Sequence, residues 1–330
     1  MMLKATALIS IWVGIYSWLM VYGVAYAPWS FLGVVAFSLS TLTIQLAVMH
    51  DASHRSIAAY DPINQLFSLV LTFIGAASIL WHQQHVVSHH THTNIAGKDP
   101  DIRSYGIFRY QASDEWSSLH RWQHWYAIPM YAFVAIRWAW FVDFYETITN
   151  TYNLRGKQYW MLVGELVVSR TIHVFLFLYL PYMVVGNIWV VLGCYLVQWM
   201  IFGCLMALVF QCAHVTGVQE YPTEEQDDYL IHQISTTANF STGNHLLSHL
   251  IGGLNFQIEH HLFPRLSHLN YPIIQPVVKQ FCEEHGITYN EAPTFFHAVV
   301  GHLSVLKRFS TQPKKQSAES ETQVPRAMAG

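Results

Sequence analysis

A chain of 330 residues that is 52% hydrophobic and 11% charged, with a mean hydropathy of +0.25, is more apolar than an ordinary soluble domain and points to a multi-spanning membrane protein. Its net charge of −3 implies no nucleic-acid partner. Cys194, Cys204 and Cys212 fall in or beside one apolar run, Cys282 stands alone and no CxxC pair exists, so neither a disulfide framework nor a zinc ribbon is suggested. The residue in excess is histidine, with 20 copies against 17 Lys plus Arg.

A bilayer core about 30 Å thick needs roughly 20 apolar residues of helix. The first such run extends from about Thr6 to Tyr26, too long for a signal peptide and followed at once by another, so it reads as a retained span. The second runs from about Trp29 to Met49, after the short turn Ala27-Pro28. A shorter run, Gln65 to Trp81, with Gly75 and Ser78, is expected to lie in the interface or re-enter. Tyr126 to Phe144 carries Arg137 and Asp143 among many aromatics, which suits a helix at the headgroup level. The third and fourth spans are expected at about Trp160 to Tyr182 and Ile188 to Phe210, joined by a short turn at Val185 to Asn187. Glu165, Arg170 and His173 lie inside the third. They read as polar contacts facing the bundle interior rather than as a relay. Residues 1–309 form one membrane domain, and the polar stretch 310–330 reads as a disordered tail.

The two tight turns hold no Lys or Arg. The middle loop holds Lys98, Arg103, Arg109, Arg121, Arg155 and Lys157, and the C-terminal region holds Arg265, Lys279, Lys307, Arg308, Lys314 and Lys315. Positive residues favour the cytoplasmic side, so the middle loop and both termini are expected there.

Three histidine clusters follow from this topology onto one face. His50 and His54, in HDASH, are four apart and share a helix face. His85 and His89, in HVVSHH, repeat the spacing, and His90 is turned about 100° from His89 on an α-helix, toward a second metal. His260 and His261 close the stretch QIEHH, and His214 ends the fourth span. Solvated or hydrogen-bonded roles are expected instead for His120, His124, His232, His245, His249, His285, His297 and His302. A catalytic zinc needs three protein ligands and an open position, so this many imidazoles fits two metals better. Redox iron is the use that suits a greasy setting, where breaking an unactivated C–H bond needs a strong metal–oxygen oxidant.

These clusters resemble the three histidine boxes of the membrane fatty acid desaturases, here HDASH, HVVSHH and QIEHH. The Gln at the head of the third box resembles the front-end class, as do DDYLIHQISTTANFS and QIEHHLFPRLSHLNYP, which look like cyanobacterial-type enzymes; the likeness covers roughly residues 30 to 300. The resemblance implies an all-α integral membrane fold of four transmembrane helices, interfacial helices and a cytoplasmic helical cap. It implies a non-haem di-iron centre held by His50, His54, His85, His89, His90, His214, His260 and His261, with O2 as co-substrate. Gln257 would be a weak ligand or water anchor, and Asn94 and Asn239 would support the ligands from behind. His92 is not expected to ligate. No HPGG haem motif is present, so an external electron donor, ferredoxin or cytochrome b5, is expected. The carrier, whether acyl-lipid, acyl-CoA or acyl-carrier protein, stays open. Two rivals are a hydroxylase or acetylenase on a carrier-bound chain and, from another class, a histidine-rich metal transporter, whose ligands would sit near mid-membrane. A membrane zinc hydrolase is a third.

Overall fold

The structure, a computed structural model, describes residues 1–22, 27–103, 105–224 and 228–312. Tyr26 and the tail from residue 313 onward therefore lie outside the described residues. Among the described residues, four helices are long and apolar enough to cross a membrane: Met2–Val21, Ser30–Ser53, Lys157–Val185 and Ile188–His214. The other regular elements among the described residues are helical, apart from a two-residue parallel pairing of Asn239–Phe240 with Glu291–Ala292.

The second and fourth spans run past the points where hydropathy ends, to Ser53 and His214. The polar residues that continue them, His50, Asp51 and His214, are buried against other parts of the protein rather than facing lipid. Aromatic packing joins the spans: Trp12 stacks on Phe37 at 5.3 Å, and Phe177 meets Trp199 edge-on at 5.4 Å. The turn before the fourth span works through Gly186, at φ +67°, and Asn187, whose side chain accepts from the Trp189 and Val190 amides.

The run after the second span does not continue as one helix. Asp61–Phe73 and Ser78–His89 meet at a 111° bend. Three polar residues of the third span secure the region of that bend. Glu165 accepts from the Ser78 and Ile79 amides at 2.6 and 3.2 Å, satisfying donors that a helix start leaves open. Arg170 pairs with Asp143 at 3.1 Å, and Asp143 also accepts from the Ala77 amide. His173 meets the Tyr195 hydroxyl at 2.8 Å and the Phe73 carbonyl at 3.3 Å. The interior polar contacts expected for this span are thus the clamp on the bend. Ser118–Tyr131 and Val134–Thr149, bent by 74°, form the aromatic segment that carries Arg137.

The C-terminal part packs across the ends of the spans as short helices, among them Tyr229–Thr236, Gln257–Leu262, Tyr271–His285 and Phe295–Arg308. One close approach seats it. Gly252, at φ +64°, lies so near the second span that an added Cβ would collide with the Leu46 carbonyl and stand 2.7 Å from Ala47 Cα. Only glycine fits there, and the contact brings the third histidine box against the first.

Candidate metal centre

The first box is the end of the second span, where a π-helical turn, Gln45–Met49, leads into His50. The second box lies on another π-helical stretch, His82–His89. The wider i→i+5 turn changes which residues share a face, and such turns collect at functional sites. The third box is the helix Gln257–Leu262, and His214 is the last residue of the fourth span.

All eight expected ligands are buried and converge. His50, His54, His85 and His260 offer ring nitrogens within 4.8 Å of one another, and so do His89, His214 and His261. His90 lies between the two groups: its ring centroid is 4.6 Å from that of His54, 4.7 Å from His260 and 4.3 Å from His261. His85 joins the first of these groups and His89 the second, while their Nδ1 atoms share Asp101 at 3.2 and 3.6 Å. His92 belongs to none of these clusters among the described residues, nor do the eight histidines assigned solvated or hydrogen-bonded roles. His302, for example, is held by the Tyr131 hydroxyl at 2.6 Å and the Val215 carbonyl at 2.8 Å.

The unpaired nitrogens show what the cluster fits. Nε2 of His54, His89, His260 and His261, and both ring nitrogens of His90 and His214, are buried without a hydrogen-bond partner. Nε2 of His50 and His85 face each other at 2.9 Å. So many orphaned polar atoms in one place are costly unless something binds them, and imidazole nitrogens bind metal ions.

The outer nitrogens are fixed from behind. His89 Nδ1 donates to Asp99 at 2.9 Å, His85 Nδ1 to Asp101 at 3.2 Å and His261 Nδ1 to the Gln233 side-chain oxygen at 2.8 Å. The Tyr271 hydroxyl bonds His260 Nδ1 at 3.1 Å. Each contact orients a ring so that Nε2 is left for the cluster. Burial, and then the neighbouring imidazoles, lower the pKa of His85, His90, His260 and His261 well below the usual value, which keeps those rings in the neutral, ligating form. Burial acts on His89 in the same direction, but Asp99 and Asp101 outweigh it and hold its pKa at about 9.

Asn94 and Asn239 hold the segments that carry ligating rings. Asn94, at φ +58°, donates to the carbonyls of His214 and Thr236, both at 3.0 Å. Asn239 accepts from the Ile258 amide and donates to Glu259, pinning the third-box helix. Gln257 is buried at the first residue of that helix. Asp99, Asp101, Gln233 and Tyr271 were not found from sequence. The pair Asp99 and Asp101 carried a signal, since carboxylates close behind ligating histidines are a recurrent arrangement.

A cavity of about 210 Å³ opens beside the cluster. Trp81, Trp138, Met206 and Phe210 line it and also line a smaller void that reaches His50. Trp81 stacks on the His85 ring at 4.5 Å.

Comparison with known proteins agrees with this architecture. Residues 24–293 match the model of the family described as Fatty acid desaturase. The chain is 32% identical to an sn-1 linoleoyl-lipid 6-desaturase of Arthrospira platensis, over 96% of this chain and 88% of that protein. It is 30% identical to an sn-1 linoleoyl-lipid 6-desaturase of Synechocystis sp., over 85% and 80%. An acyl-lipid (8-3)-desaturase of Physcomitrium patens is 31% identical over 80% of this chain, which spans 57% of that longer protein. With its histidine clusters, its four candidate spans and a family match over most of its length, this chain belongs to the fatty acid desaturase family.

Proposed function

We propose that this fatty acyl desaturase works through two iron ions held by the eight converging histidines. His50, His54, His85 and His260 would hold one, His89, His214 and His261 the other, and His90 would lie between them. The observation that carries this reading is the set of buried, partnerless ring nitrogens in two adjoining groups. Iron at this site, with O2, would supply the oxidising power that an unactivated C–H bond requires.

The chain's own residues do the rest. Asp99, Asp101, Gln233 and Tyr271 lock the imidazole orientations, so no rearrangement is needed before reaction. The apolar walls at Trp81, Trp138, Met206 and Phe210 are the route by which an acyl chain is laid beside the cluster, excluding water and fixing which carbons come within reach. Two hydrogens leave adjacent chain carbons, two electrons arrive one at a time from an external donor of the ferredoxin or cytochrome b5 type and two protons come from solvent, so that O2 leaves as two waters. The form of the third box and the 6-desaturase names of the cyanobacterial relatives support a double bond placed toward the carboxyl end of a lipid-linked chain. The Lys and Arg distribution supports a cytoplasmic site with both termini on the same side.

The test is mass spectrometry of acyl chains from a bacterial host making this protein with a ferredoxin system, beside a His261→Ala control. A new double bond absent from the control is expected. Equal acyl profiles across phospholipid, thioester and glycolipid fractions, with the protein folded and iron-loaded, would overturn the reading.

A further inference from the structure

A second cavity, of about 230 Å³, lies between the end of the second span and the two limbs of the bent pair Asp61–Phe73 and Ser78–His89. Polar side chains come to it from all three sides: Ser53 from the span, Gln65 and Ser68 from the first limb, Ser78 and Gln83 from the second. Arg55 and Asp61 also line it, paired at 3.2 Å with their side chains 57% and 39% exposed. An ion pair that open stays in water or among headgroups, so the cavity faces solvent rather than hydrocarbon. Its inner contacts belong to the metal site. Met49 and Trp81 line it and also line the void that reaches His50, and Trp81 lines the 210 Å³ cavity as well. Trp81 stacks on His85, and its N–H donates to the Ser53 hydroxyl at 3.2 Å. That hydroxyl in turn donates to the His50 carbonyl at 2.7 Å.

The reaction read for this centre draws two protons from solvent in each turnover and sheds two waters. The two oxygens of O2, the two hydrogens of the chain, the two electrons of the donor and these two protons make up those waters. An acyl chain lying against Trp138, Met206 and Phe210 closes its own passage to water, so protons and product water need another way. The second cavity has room for several waters, and its hydroxyl and carboxamide side chains give them the hydrogen-bond partners that ordered water requires. Trp81 is fixed by Ser53 and His85, whereas Met49 is an unbranched, adaptable side chain that can swing to let water past.

We propose that this cavity is the solvent passage of the metal site, bringing protons in along ordered water and letting product water out while the acyl chain fills the separate 210 Å³ cavity. Trp81 and Met49 form the partition between the wet side and the greasy side. The proposal rests on reading the 210 Å³ cavity as the acyl route and the histidines as an O2-consuming centre.

The experiment uses the iron-loaded protein in lipid vesicles and two thiol reagents, a permanently charged trimethylammonium methanethiosulfonate carried by water and a neutral alkyl methanethiosulfonate carried by lipid. Ser78→Cys places a thiol on the cavity wall, and labelling at that residue is read by peptide mass spectrometry. The charged reagent is expected to label it, and to do so several-fold more slowly once Ser68→Trp fills the cavity from the first limb. Ser68→Trp alone should lower turnover several-fold, with the acyl KM, iron content and melting temperature unchanged. Gln65→Trp, one turn earlier on the same helix face, should reproduce this. Labelling by the neutral reagent alone would show that the cavity opens to hydrocarbon, and a plug that stops labelling but leaves turnover intact would show that solvent reaches the centre elsewhere. Either result overturns the proposal. Met206→Trp, which fills the acyl cavity, keeps the two readings apart. It should raise the acyl KM and leave Ser78→Cys labelling as it was, whereas an unchanged KM would remove the acyl-route reading without touching the labelling result.

Discussion

Asp51 and His268 stand 2.9 Å apart, joining a residue inside the first histidine box to the loop behind the third. Asp51 also accepts from the Ser267 hydroxyl and the His268 amide, and Lys4 of the first span reaches the far nitrogen of the same imidazole at 2.6 Å. Segments more than 200 residues apart are thereby held in one register around the metal site. His268→Ala leaves Asp51 buried with less to bind it, at a cost of about 1–3 kcal/mol. The expected result is a lower unfolding temperature and reduced iron content, measured by thermal melting and metal analysis. His268→Asn, which can still donate, should recover part of both.

Asp99→Asn tests support of a ligand from behind. The variant keeps shape but removes the charge facing His89 Nδ1. Metal affinity should fall about 10–100-fold, read as faster loss of iron to a chelator. Unchanged retention would show that His89 needs no carboxylate to hold its orientation.

Gly252→Ala tests the seat of the third box. The substitution meets both a left-handed backbone and a collision with the second span, so a penalty of at least about 2 kcal/mol is expected. Iron content should fall with stability, because the contact it breaks seats the third box, with His260, against His50 of the first.

The metal-free protein should have a bounded pH range of stability. His85, His90, His260 and His261 have pKa values lowered in the fold, so below about 6.5 the unfolded chain binds more protons, and stability falls as the solution is acidified. His89 runs the other way. Its pKa is raised to about 9, so its contribution is complete below 6.5 and is lost as pH rises through 9. Thermal melts of chelator-treated protein should peak between these values. Iron should raise stability but steepen the acid side, since a bound metal keeps protons off the folded ligands while the unfolded chain still takes them up.

Much of the site was legible because imidazoles are rare enough, and their boxes regular enough, to stand out against an apolar background. The four spans were legible in reverse, as long apolar runs with few charges. What hid was set by distance in the chain or by local helix geometry. Gln233 and Tyr271 meet His261 and His260 only after the cap folds, and although both lie in stretches that carry the family likeness, no spacing there assigns them a partner. The π-helical stretch His82–His89 carried no readable signature, yet it is the backbone that presents His85 and His89. Polar residues near the ends of the second and fourth spans looked like the end of a membrane helix by hydropathy, and they continue it because the cluster buries them.

The central claim is that eight histidines hold two iron ions. Metal analysis of the purified protein, wild type beside His90→Ala, tests it most directly. Two irons per chain in the wild type, and a marked loss from the variant that removes the histidine between the groups, is the predicted result. A single metal per chain, or zinc in place of iron with desaturation intact, would contradict it.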